Sequence, residues 1–230
     1  MTKPRSWLSV AIWAASFAAA LWIMIWPQPY DLAIAVGIIL PWLGIAMAAF
    51  SGGRIAFNGQ KGETRPDSFG LSFLPALAVG ARGMMDYTLL DWKPALIAAC
   101  IVSLLWNLAI WLGQNLSNTP QTRWSWLMLV VLLAFGVDYG FGVAIFADTQ
   151  GDTAIINNYI VSVDNMYVTS GKSAGYYLDL AGWPLKPGGG PERVSHDMYN
   201  HLRVGSRVCV NVHAGRLRWR WYRVQSCPVI

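Results

Sequence analysis

Four polar side chains stand in stretches that otherwise read as hydrocarbon-embedded. Asp138 interrupts the apolar run from Trp124 to Ala147, Asn107 interrupts Pro94 to Gly113, and Arg82 and Asp86 interrupt Phe69 to Leu90. An ionised carboxylate inside a bilayer is costly unless it is paired, protonated or turned toward a cavity, so intramembrane carboxylates often mark proton or ion paths. The chemistry that Asp138 offers is therefore proton or ion coupling. A plainer role is also open to it: a partner in Arg82 or Asn107 within the bundle, or a place near the far interface. Arg82 and Asp86 are four residues apart, share one face of a helix and can neutralise each other.

A second group of candidate residues lies near the carboxyl end. In RLRWRWYR, alternation predicts a strand with Arg216, Arg218 and Arg220 on one face and Leu217, Trp219 and Trp221 on the other. The basic face is either a solvated surface over a packed core or a contact for anionic lipid headgroups. Cys209 and Cys227 either form a disulfide or remain two thiols, according to the compartment. His196, His201 and His213 lack the spacing of a metal site, and there is no C-x-x-C or H-E-x-x-H, so no metal is expected. Ser195, His196 and Asp197 are consecutive and cannot relay a proton as a triad. Neither G-x-x-x-x-G-K-S/T nor a G-x-G-x-x-G after a soluble strand occurs, which argues against a nucleotide. No catalytic residue and no cofactor is expected.

The elements that must position these groups follow from composition. With 55% hydrophobic and 13% charged residues and 13 Trp in 230 residues, the chain departs from the roughly 25% charged residues of a soluble domain. A membrane α-helical bundle of four to five transmembrane helices is predicted over residues 1–147. Its spans are Trp7–Trp26, Tyr30–Phe50 with Pro41 at a bend, Phe69–Leu90, Pro94–Gly113 and Trp124–Ala147, each near the 20 or so residues that cross a bilayer. Phe69–Leu90 is either a short crossing or an interfacial helix. Cys100 falls in an apolar run and reads as a packing residue, and Gly136-x-x-x-Gly140 allows close helix approach or a homo-oligomer.

Residues 148–230 change character to short alternating runs broken by glycine and proline, the pattern of a small all-β, barrel-like domain of the OB or SH3 kind. Strands are predicted at Ile155–Val163, Ala174–Leu180, Arg207–His213 and Leu217–Val224, the last two joined across Ala214 and Gly215. KPGGGP reads as a flexible loop, and Ser195 as the cap of a short helix ending at Leu202.

Lys3 and Arg5 before the first span, and Arg54, Lys61 and Arg65 after the second, place the amino terminus in the cytoplasm. Five crossings put the carboxyl-terminal domain in the periplasm, the side expected here given Cys209 and Cys227, and four put it in the cytoplasm. Arg123 alone marks the loop before the last span. The net charge of +5 is accounted for by such flanking residues, so nucleic acid is not the expected partner.

The tail residues Tyr176, Tyr177, Leu178, Leu180, Tyr199, Leu202, Val204, Gly205, Val208, Cys209, Val210, His213, Gly215, Leu217, Trp221 and Tyr222, with Leu89 to Trp92, carry a resemblance. The chain resembles uncharacterised bacterial inner-membrane proteins with a C-terminal membrane-tethered small β domain. That resemblance implies a fold and a membrane but no activity. Two functions are compatible with the residues. The first is a non-enzymatic membrane anchor whose β module meets a protein partner, an envelope component or the membrane surface; the second is a small proton- or ion-coupled transporter using Asp138, Asn107, Arg82 and Asp86.

Overall fold

The computed structural model describes residues 7–58, 65–116, 126–170 and 175–227. Trp124 and the flanking charges Lys3, Arg5, Lys61 and Arg123 lie outside them. The chain divides into two compact units, Met1–Asp86 with Lys93–Gln150, and Tyr87–Trp92 with Gly151–Ile230. The boundary therefore differs from the expected break between residues 147 and 148. A short piece between two helices belongs to the β unit.

The first unit is a helical bundle of α1 (Trp7–Ile25), α2 (Tyr30–Phe50), α3 (Phe69–Asp86), α4 (Trp92–Leu116) and α5 (Trp126–Thr149). By length and composition α1, α2, α4 and the Leu129–Thr149 part of α5 can each cross a membrane. Their surfaces are built for lipid. On α1 the buried residues are Ser9, Ile12, Ser16 and Ile23, a stripe at helical spacing, while Val10, Phe17 and Ile25 are exposed. Two serines lie inside among the isoleucines while large apolar groups lie outside, the arrangement expected when the solvent is hydrocarbon. Cys100 is exposed on α4, outside the packing role expected of it.

α3 is the exception and the centre. It packs against α1, α2 and α5, and ten of its 18 residues are buried, so neighbouring helices rather than lipid cover it. It ends at Asp86, four residues before the expected Leu90. Leu89 and Leu90, read from sequence as the resumption of an apolar span, leave the helix: Thr88–Leu89 is strand β1.

Glycine sets the helix approaches. Gly136 and Gly140 of α5 both face α4, against Ser103 and the Ala99 backbone respectively, and Gly142 faces α3. The G-x-x-x-G pair is thus engaged within the chain. A Cβ on Gly142 would lie 2.5 Å from the Val79 carbonyl oxygen and 2.8 Å from the Gly80 Cα, backbone atoms that cannot swing aside. Gly142→Ala is expected to destabilise the bundle by about 1–3 kcal/mol, measured as a lower midpoint in denaturing-detergent titration; an unchanged midpoint would show that α3 and α5 are not in this contact.

The second unit continues with β2 (Ile155–Thr169), β3 (Gly175–Leu180), β4 (Gly190–Val194), α6 (His196–His201), β5 (Arg207–His213) and β6 (Trp221–Ser226). The six strands form one curled antiparallel half-barrel in the order β1-β6-β5-β2-β3-β4. Its bend lies in β2, which pairs with β5 through Ser162 and with β3 from Val163 onward, with a register shift between Val163 and Asn165. Such an irregularity re-aims a strand. Val161, Val163, Leu178, Val208, Val210 and Val212 form the buried core.

Two local expectations are corrected. KPGGGP is not all loop: Gly190 and Pro191 begin β4 and pair with Leu180 and Asp179. Proline is tolerated there because β4 is an edge strand with one unpaired side. The predicted strand Leu217–Val224 begins only at Trp221, because Gly215 (φ 73°) and Arg218 (φ 64°) both take left-handed backbone. That conformation breaks a strand, so Arg216, Arg218 and Arg220 do not share one strand face. α6 does follow Ser195, whose hydroxyl accepts from the Met198 N–H at 3.1 Å.

Candidate functional site

Within the bundle the candidate residues fall into separate places. Arg82 and Asp86 pair through Nε and Oδ2 at 2.6 Å. The Tyr30 hydroxyl donates to the same oxygen at 2.6 Å, and Arg82 also donates to the Met24 carbonyl at 3.2 Å. This network ties the ends of α1, α2 and α3 together. Asn107 donates to the Ser103 carbonyl at 2.8 Å and to the Leu132 carbonyl at 3.4 Å, which joins α4 to α5. The Tyr139 hydroxyl donates to the Ile38 carbonyl at 2.7 Å and accepts from the Trp42 indole at 2.9 Å, which joins α5 to α2. These groups satisfy one another and act as cross-links.

Asp138 is different. Its carboxylate packs against Gly80 of α3, where any Cβ would collide with it. Arg82 and Asn107 are engaged elsewhere, and among the described residues no hydrogen bond or ion pair reaches Asp138.

The β unit holds three polar constellations. Asp91, immediately before α4, binds Arg220 bidentately: Nε to Oδ2 at 2.8 Å and a terminal nitrogen to Oδ1 at 3.0 Å, with the Arg220 backbone N–H also on Oδ2 at 3.0 Å. The Leu90 N–H donates to the Arg220 carbonyl at 2.8 Å. The Arg220 guanidinium holds the Asp91 carboxyl below the ordinary range, against a smaller opposing effect of burial. Stability from this pair is therefore complete above the unfolded carboxylate range and is lost as pH falls through the folded Asp91 value. Asp91→Asn is expected to flatten the acid limb of the stability profile below about pH 4, with under about 1 kcal/mol lost at neutral pH because the pair is partly exposed. Unfolding midpoints across pH would show an unaltered acid limb if the pair did not form.

The second constellation surrounds Trp221. Asp152 accepts from the Trp221 indole at 3.2 Å and from the Gly215 N–H at 2.8 Å. His213 stacks on Trp221 with centroids 4.0 Å apart, while the Arg223 guanidinium lies over both Trp221 and Tyr87. Burial pushes the His213 imidazole below its ordinary pKa, and the nearby Arg223 charge adds to this against the pull of Asp152 and an Ala154 backbone hydrogen bond. His213 is thus a stacked packing residue. His196 lies against Tyr176 and Asn200, and His201 against Asp197. The histidines do not converge.

The third crosses the open side of the half-barrel. Lys186 reaches Glu192 of β4 at 2.8 Å, and Glu192 accepts a short hydrogen bond from the Tyr222 hydroxyl of β6. β4 and β6 are not sheet neighbours, so these side chains link strands that the ladder leaves apart. Burial, and secondarily Glu192, push the Tyr222 phenol well above its ordinary pKa.

Cys209 and Cys227 are joined as a disulfide, with Cα atoms 5.0 Å apart. Cys209 is buried, as are Asn211 and His213 on the same strand. Sequence reasoning did not find the Asp91–Arg220 clamp or the joining of Tyr222 to the Lys186–Glu192 pair, as 129 and 30 residues separate the partners. Comparison with protein-family models, with characterised proteins and with solved structures gives no match. The functional reading therefore rests on this geometry.

Proposed function

We propose that the chain is a non-enzymatic integral membrane protein of a bacterial inner membrane whose helical bundle anchors a small OB- or SH3-like β module for contact with a partner, an envelope component or the membrane surface. The observation that carries this reading is the pairing of β1 with β6. The module has its own core, yet takes its edge strand from the chain between α3 and α4. The bundle's polar residues cross-link helices, as an anchor requires.

Strand pairing also bears on the side of the membrane. β1 precedes α4 and β2 follows α5, and the two strands share one sheet. α4 and α5 must then cross out and back. α3, about 27 Å long at 1.5 Å per residue, is close to the roughly 30 Å of a bilayer core, and its neighbours cover its less apolar surface. With α3 as a fifth crossing and the amino terminus in the cytoplasm, the β module is periplasmic, where a disulfide persists.

Asp138, without a partner among the described residues, favours a second reading, a small proton- or ion-coupled transporter. Complementation separates the two. A deletion phenotype restored by Asp138→Asn but not by a chain ending at Gln150 supports the anchored module. Rescue by the shortened chain and failure of Asp138→Asn would move the function into the bundle.

A further inference from the structure

We propose that the β5–β6 loop, held to Asp91 next to Trp92, binds the headgroups of anionic phospholipids at the membrane surface. This rests on the anchored-module reading and names one partner of that module. Arg220 at the end of the loop is fixed to Asp91 by side chain and backbone, and Trp92, the next residue after Asp91, opens a candidate membrane span. The clamp therefore pins the loop beside the first residue of a helix that enters lipid. Arg218 is two residues from this anchor and Arg216 four, at most about 7 and 14 Å of chain. The headgroup layer is about 5–8 Å deep on each side of the hydrocarbon core, so the backbone of Arg218 is held within that depth, and Arg216 reaches it through the length of its own side chain.

Its chemistry fits that layer. Arg216, Leu217 and Arg218 are exposed at the tip, and among the described residues neither Arg216 nor Arg218 has an acidic partner. Arginine presents a planar fork that suits phosphate oxygens. Leu217 offers an apolar side chain between the two cations, and the exposed Trp92 supplies an indole of the kind that anchors at membrane interfaces. Arg218 also occupies backbone with φ 64°, a region where glycine is the unstrained choice. A cation at a position whose backbone favours glycine is consistent with a role for its charge beyond the turn.

The test uses the full chain in nanodiscs of equal phosphatidylglycerol and phosphatidylcholine, with the lipids retained on release counted by native mass spectrometry. The wild-type chain is expected to retain phosphatidylglycerol preferentially. Arg216→Gln alone should lower that retention about fivefold, and Arg216→Gln with Arg218→Gly by more than about tenfold. Arg218→Gly relieves the strained backbone, so the unfolding midpoint should not fall. Arg203→Gln with Arg207→Gln removes the same charge from exposed positions, one before β5 and one at its first residue, and should change nothing. Equal retention by the loop variants, equal loss in the Arg203/Arg207 control, or displacement of the lipid by millimolar inorganic phosphate would each overturn the proposal. None of these results alters the complementation test, so failure of the lipid site is distinguishable from failure of the anchored module.

Discussion

Replacing Cys209 and Cys227 together by serine is expected to lower the thermal midpoint of the β unit by roughly 10–20 °C. The two cysteines are 18 residues apart, and closing a loop of that size stabilises by about 3 kcal/mol in the chain-entropy estimate. The effect is large because the unit is small. β6 is the last strand, and it is held by β5 on one side and on the other by a β1 of only two residues. Without the bond, the end of β6 is free to fray from Ser226 inward. Cys209 is also buried, so a serine there adds a hydroxyl to a packed position. Reducing the wild-type protein avoids that complication and should reproduce most of the shift. A shift below about 5 °C on reduction, by calorimetry of the intact chain in micelles, would show that the sheet does not depend on this link.

Glu192→Ala is expected to cost about 2–4 kcal/mol. The Glu192 side chain is 10% exposed and its carboxylate receives both Lys186 and Tyr222, so its removal leaves a phenol hydroxyl without its acceptor in the core. Lys186 is 35% exposed at its side chain and can turn to water, which keeps the cost toward the lower end of what breaking a buried pair produces. Tyr222→Phe, which removes only the donor, should cost about 1 kcal/mol. Because the two groups share one hydrogen bond, the double variant Glu192→Gln/Tyr222→Phe should cost less than the sum of its parts. Urea unfolding followed by near-ultraviolet circular dichroism gives these values. Strict additivity would mean that β4 and β6 are not joined across the open side.

The long apolar helices were legible because hydrocarbon demands a long apolar run whatever the fold, and α1, α2, α4 and α5 each supply one. α6 was legible from Ser195, since capping is local. Cys209 and Cys227 were legible as the two cysteines of the tail, and their joining was open until the strands placed them. β1 was not legible: two residues are too few for alternation, and Leu89 and Leu90 continue an apolar run. Nor was β4, where glycine and proline signal a turn unless the strand is known to be an edge. The arginines of RLRWRWYR misled for a definite reason. Their alternation is real, but Arg218 takes left-handed backbone and Asp91, 129 residues from Arg220 in sequence, holds the end of the segment. Asp138 was legible as a polar residue among apolar ones, whereas its lack of a partner depended on where Arg82 and Asn107 turned.

The central claim is that residues 87–92, which run from the end of α3 to the first residue of α4, belong to a β module with its own core. Hydrogen exchange of the intact chain in micelles, resolved by mass spectrometry, tests it most directly. The Leu90 N–H bonds to the Arg220 carbonyl at 2.8 Å, so its protection should rise and fall with that of β5 and β6, and Asp91→Asn should weaken it without changing exchange in α3. Protection of Leu90 that instead follows α3, and survives Asp91→Asn, would contradict the account.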